Sequence, residues 1–193
     1  LGMGEGNALT EFFGTKSTAR NVVFVIDNTG SMASGGLETV IVEMLKTVEA
    51  LDSKQRFYVY FFSDQVYPLF YPQTVNTLIR PNSANKQKLR RWLDTVEFCT
   101  GGVWQLTQAL EAAYELDPDV VYLLTDGRHW GAVRADYKVE AVKNLRSRTN
   151  PHGIPVHTLC MGCQTDFDRE NLAQVAEVNG GTFREVAVSP AMV

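Results

Sequence analysis

Two short segments concentrate the oxygen donors of this chain. In Asp27-Asn28-Thr29-Gly30-Ser31 a carboxylate and two hydroxyls alternate at one-residue spacing, and in Thr125-Asp126-Gly127 a second carboxylate precedes a glycine. Carboxylates and hydroxyls are hard ligands. A tight turn that points Asp27, Thr29 and Ser31 at a common centre, with Asp126 beside them, suits Mg²⁺ in an octahedral shell completed by water, with Mn²⁺ or Ca²⁺ as substitutes. The plainer reading of the first segment is a helix N-cap and turn cluster, where the same residue types are favoured. The second acidic loop tips the reading toward metal ligation. Asp64 reads as a turn or capping residue and is left out of the set.

Other chemistries fit less well. An aspartyl-phosphate hydrolase requires Asp-x-Asp-x-Thr after its first strand, but Thr29 stands where the second acid belongs and no general acid is in place. There is neither a nucleophile elbow nor a P-loop lysine, so no enzyme is expected. Cys160-Met161-Gly162-Cys163 has the spacing of a redox pair. In that chemistry, however, the first cysteine sits at a helix N-terminus, whereas here the helix is expected to begin near Asp168, which makes Cys160 a buried strand residue. A zinc site from Cys99, Cys160 and Cys163 with His129 or His157 lacks a second closely spaced ligand pair. His152 and His157 read as surface or strand-edge residues.

These segments need elements to position them. Val22-Val23-Phe24-Val25-Ile26 is apolar on both faces, as expected of a central strand covered by helices on each side. Leu37, Val40, Ile41, Met44, Leu45 and Val48 then recur at helical spacing. The pattern continues with a strand over 57–62, a pairing strand over 66–70 and a helix carrying Leu89, Trp92, Leu93 and Val96. Next come a helix from Leu106 to Leu116 closed by Pro118, a strand over 120–124 and a helix over 135–147. A strand over 156–160, a helix over 169–178 and a short strand over 182–185 complete it. Strands alternating with helices predict an α/β, three-layer, doubly wound and mostly parallel sheet with helices on both faces. Ligands of such sheets sit beyond the carboxyl ends of the strands near the topological switch point, where both oxygen-rich segments fall. Residues 1–20 read as a leader that lays one strand against a domain spanning 21–193.

The 193 residues, 45% hydrophobic, suffice for one domain with a sizeable core. A net charge of −4 with scattered lysines and arginines argues against a nucleic-acid or anionic-membrane partner. The apolar runs are far shorter than the roughly 20 residues of a membrane-spanning helix. The opening Leu1-Gly2-Met3-Gly4 lacks a basic n-region, so no signal peptide is expected there, and the chain reads as a trimmed piece of a longer parent. Three cysteines are too few for a disulfide framework and assign no compartment.

The order Val22-Val23-Phe24-Val25-Ile26-Asp27-Asn28-Thr29-Gly30-Ser31-Met32, then Phe61-Phe62-Ser63-Asp64, then Leu123-Leu124-Thr125-Asp126-Gly127 resembles the von Willebrand factor A-type domain family over residues 21–186. That family's metal-ion-dependent adhesion site reads Asp-x-Ser-x-Ser, a Thr in a Gly-rich loop, and an Asp after the fourth strand. The resemblance implies a Rossmann-like fold and a binding module whose Mg²⁺ leaves one position for an acidic residue of a partner protein. Thr29 keeps the hydroxyl of the family's first Ser. The middle loop departs from the template. Counting back from Ala109-Leu110 places Trp104 where the Thr belongs, and an indole, with only a donor N–H, cannot ligate a cation. Thr100 and Thr107 are the nearby hydroxyls that a rearranged loop would supply. Trp104 is either an aromatic contact beside the ion or a filler under the loop. The two expectations are therefore a divalent-cation site with an altered third loop and a metal-free interaction domain with a degenerate site.

Overall fold

In the computed structural model, residues 9–99, 105–128, 150 and 152–188 are described. They form β1 (Thr10–Phe12), β2 (Thr15–Ser17), β3 (Asn21–Asp27), α1 (Gly36–Ala50), β4 (Arg56–Phe62) and β5 (Val66–Tyr67). These are followed by α2 (Ser83–Leu93), α3 (Leu106–Glu115), β6 (Val120–Thr125), β7 (Val156–Met161), α4 (Asp166–Val178) and β8 (Phe183–Val186). The sheet runs β5-β4-β3-β6-β7-β8, parallel throughout except for β5. This is the doubly wound α/β arrangement anticipated from the alternation of strands and helices. The helix expected over 135–147 lies outside the described residues.

The apolar run of β3 occupies the centre because every residue from Val22 to Asp27 is buried, leaving it no face suited to water. The chain winds from β3 through α1 to β4 on one side and returns at β6 on the other. The switch point is therefore between β3 and β6, whose last paired residues are Ile26 and Leu124. Phe24 and Tyr122 stack across this pair with ring centroids 5.6 Å apart. Burial pushes the Tyr122 hydroxyl up to about 12. On α1, Leu37, Val40, Met44 and Val48 are buried on one stripe, which seats the helix on the sheet behind the turn at 27–33.

Several boundaries differ from the sequence expectation. The leader forms two strands rather than one, and they pair with each other as a hairpin. Phe12 of that hairpin is fully buried, 5.0 Å from Phe24 and 5.8 Å from Tyr122 between ring centroids. β5 stops at Tyr67 instead of Phe70, because Pro68 has no N–H for a ladder and Phe70 adopts φ 67°. α2 ends at Leu93, leaving Val96 in a turn with its N–H on the Leu93 carbonyl. α4 begins at Asp166, earlier than expected: Thr165 and Asp168 form a capping box whose reciprocal bonds hold that first turn. Among the described residues no helix is long and apolar enough to cross a membrane.

Candidate functional site

Asp27 is the last residue of β3, and the chain turns at once into a short 3₁₀ segment, Gly30–Ala33. The turn is fixed by neighbours on both sides. Asn28 N–H donates to the Phe62 carbonyl at 3.1 Å, extending the β3–β4 ladder by one residue. Gly30 N–H donates to the Cys99 carbonyl at 3.0 Å, and Cys99 N–H to that of Asn28 at 3.1 Å. The Asn28 side-chain amide holds the Glu97 carbonyl at 3.0 Å.

Within this frame Asp27 is fully buried and both of its carboxylate oxygens have donors. Oδ1 accepts from Thr29 N–H at 2.8 Å and Oδ2 from the Thr125 hydroxyl at 2.5 Å. Burial raises the Asp27 pKa above its ordinary value, the hydrogen bonds from Thr125 and Thr29 work against that rise, and the Asp126 charge adds to it. The Thr29 and Ser31 hydroxyls lie 3.0 Å apart. Asp126, 3% exposed, follows β6. Its Oδ1 accepts from Arg128 N–H at 3.0 Å, while Oδ2 is buried without a hydrogen-bond donor. The Arg128 Nε stands 3.4 Å from Oδ2, an ion-pair distance lacking hydrogen-bond geometry.

Gly127 makes the second loop possible. Its φ of 74° is left-handed, and a Cβ there would lie 3.0 Å from the Cβ of Asp168, so the loop packs directly against the capped start of α4. Among the described residues no three His, Cys, Asp or Glu side chains cluster as metal ligands. A cation in this place would therefore depend on the hydroxyls as much as on the two carboxylates.

A family profile described as the von Willebrand factor type A domain matches residues 21–190. The chain belongs to the von Willebrand factor type A domain family. Among solved structures, a von Willebrand factor type A protein from Catenulispora acidiphila superposes with a TM-score of 0.68 at 18% identity, covering 92% of this chain and 41% of the other. Proximal thread matrix protein 1 from the mussel byssus superposes at 0.58 with 20% identity, over 87% of this chain and 41% of its own. The chain thus spans about two fifths of each of these proteins, and at such identities they share its fold alone. No curated protein sequence matches it at a significant level.

In this von Willebrand A domain the first and third segments of the family's site, Asp27, Thr29 and Ser31 on one side and Asp126 on the other, come to the same edge of the sheet. Of the middle-loop residues, Thr100 and Trp104 lie outside the described residues, while Thr107 is half-buried in the first turn of α3. Two participants escaped the sequence reading. Thr125 was legible only as the neighbour of Asp126, yet it is the donor that binds Asp27. Arg128 gave no signal, because its role depends on the loop folding back on Asp126.

The cysteines also depart from expectation. Cys160 is buried at the end of β7, opposite Thr125, as anticipated, but it is joined by a disulfide to Cys163, so a single bridge exists although no framework does. That bond removes the thiolates a zinc site would need, and His129 lies outside the described residues. His157 is half-buried on β7. Its Nδ1 accepts the Thr182 N–H at 3.1 Å, and burial lowers its pKa.

Proposed function

We propose that this domain is a protein-binding module that recruits a divalent cation, Mg²⁺ or the related Mn²⁺ or Ca²⁺, at the switch point of its sheet and uses it to engage an acidic residue of a partner protein. The observation that carries this reading is the buried Asp126 Oδ2 without a hydrogen-bond donor. Burying such an anionic oxygen without a hydrogen-bond donor, with only the half-exposed Arg128 guanidinium at ion-pair distance, costs about 1–3 kcal/mol, and a cation removes that cost.

The other residues fit the same ion. Thr29 and Ser31 supply hydroxyl oxygens 3.0 Å apart, which matches the edge of about 3 Å expected between adjacent ligands of an octahedron with bonds of about 2.1 Å. Asp27, already holding Thr29 N–H and Thr125 Oγ1, supplies negative charge and fixes the turn more than it offers a free lone pair. The bound cation supplies an electrophilic position for a partner carboxylate, and the chain's own residues orient and charge-balance it. Among the described residues no nucleophile and base are in contact at this edge, and we assign binding rather than turnover.

Arg128 favours a second reading, an interaction domain that works without metal, because its guanidinium already stands beside Asp126. Thermal unfolding in chelator, then with Mg²⁺, Mn²⁺ or Ca²⁺ titrated in, separates the two. An ion bound only by the folded chain raises stability by about 2.7 kcal/mol at a hundredfold excess over its Kd. A saturable rise that disappears in Asp126→Ala supports the cation site. A flat response at millimolar metal supports the metal-free module.

A further inference from the structure

On the β4 side of Asn28 the chain encloses a cavity of about 280 Å³. Its walls are mainly aromatic: Phe61 from β4, Tyr67 from β5, Tyr71, Trp92 from α2, and Phe98. Phe61 and Trp92 lie 5.6 Å apart between centroids, and Tyr67 and Tyr71 meet edge to face at 5.3 Å. Among the described lining residues Glu97 is the one acid and none is a base. Asp64 stands next to the cavity, where Tyr67 donates its hydroxyl at 2.7 Å and Cys99 its thiol, holding the carboxyl below its ordinary range. Asn28, 5% exposed, is among the lining residues, and its side-chain oxygen is buried without a hydrogen-bond partner.

The chemistry of the occupant follows from these walls. Aromatic faces beside acids favour a cation that also carries N–H donors. A planar, delocalised guanidinium stacks on rings and spreads its donors in a fork, which an ammonium does not. The same cluster already attracts one cation from outside: Lys88 Nζ lies 4.0 Å from the Phe70 ring centre, and Phe70 meets Trp92 edge to face at 6.0 Å. The volume falls just below the roughly 300–1,000 Å³ of pockets that hold whole small molecules, so it suits a single side chain. The chain's net charge of −4 favours approach of a basic surface.

We propose that this aromatic cavity receives the guanidinium of an arginine side chain presented by a partner protein. The site stands apart from the cation reading, since Asp27, Thr29, Ser31 and Asp126 are not among its walls.

The test titrates N-acetyl-arginine N-methylamide into the whole chain in chelator and follows the Trp92 indole N–H resonance. The rate at which Cys99, which lines the cavity and lies outside the disulfide, reacts with a thiol reagent serves as a second readout. Blocked citrulline (the neutral isostere), blocked lysine and free arginine are run alongside. The expected result is a saturable shift with the blocked arginine, none with citrulline, and weaker binding of lysine. Glu97→Gln and Tyr71→Ala, both at exposed positions, each weaken binding by roughly two- to fivefold. No shift at about 20 mM probe, well above a millimolar Kd, overturns the proposal. So does equal binding of citrulline or lysine, undiminished binding in both variants, or much tighter binding of free arginine, which would point to a metabolite. Because chelator is present throughout, the result stands whichever way the metal titration falls.

Discussion

The Thr125 hydroxyl donates a 2.5 Å hydrogen bond to Asp27 Oδ2 and so ties β6 to β3 one residue past their last paired positions. It is the contact through which the two oxygen-rich segments, 98 residues apart, share one electrostatic environment. Thr125→Val keeps the shape but leaves a buried carboxylate oxygen without its donor, and is expected to cost about 1–3 kcal/mol. Thr125→Ser should retain most of that stability. Urea unfolding midpoints of the three proteins, compared at unchanged slope, decide the matter.

The buried Asp27 also gives a pH signature. Its pKa is raised in the fold, so its contribution is fully present below the ordinary value of 3.8 and is lost as pH rises through the folded value. In chelator, Asp27→Asn is therefore expected to lose less stability than the parent between about pH 4 and pH 7. Parallel pH profiles of the two proteins would show that the buried carboxyl is not strained by its surroundings.

His157 acts with the opposite sign. Its pKa is lowered by burial, so the neutral ring is the form the fold accepts, with Nδ1 taking the Thr182 N–H. The stability this contributes is present above 6.5 and is lost as pH falls through the folded value. Melting temperatures should drop on acidification through this range, and His157→Gln should flatten that part of the curve. A variant with the parent's slope would assign the acid sensitivity elsewhere.

Arg128 and a cation compete for the same Asp126 oxygen. Since the guanidinium is half exposed and 3.4 Å away, removing it should strengthen Mg²⁺ or Mn²⁺ binding by only about two- to fivefold. Calorimetric titration of Arg128→Gln against the parent measures this, and weaker binding in the variant would mean that Arg128 helps to build the site.

Gly127 combines a left-handed backbone with a close approach to Asp168. Gly127→Ala is expected to destabilise the domain by about 1–3 kcal/mol and to loosen the start of α4. Faster amide exchange in the first turn of α4 is the accompanying sign. A variant with unchanged stability and exchange would show that the loop shifts freely.

Much of the architecture was legible in the chain itself. Val22 to Ile26 is apolar at every position, so it had to be covered on both faces. The 3.6-residue spacing of Leu37 through Val48 left one face to bury. Alternation of such units restricts the connections to parallel crossovers, and that brings Asp27 and Asp126 to the same sheet edge. Local spacing was sufficient because these features repeat along the sequence. What only the tertiary structure decided involves partners distant in sequence. The bond from Thr125 to Asp27, the approach of Arg128 to Asp126, the bridge between Cys160 and Cys163, and the cavity between Asn28 and Trp92 all depend on where loops return, which no period records. The burial of Phe12 against Phe24 and Tyr122 belongs to the same class. The leader was expected to lay one strand against the domain, but its pairing as a two-stranded hairpin and the particular rings that Phe12 meets depend on contacts distant in sequence.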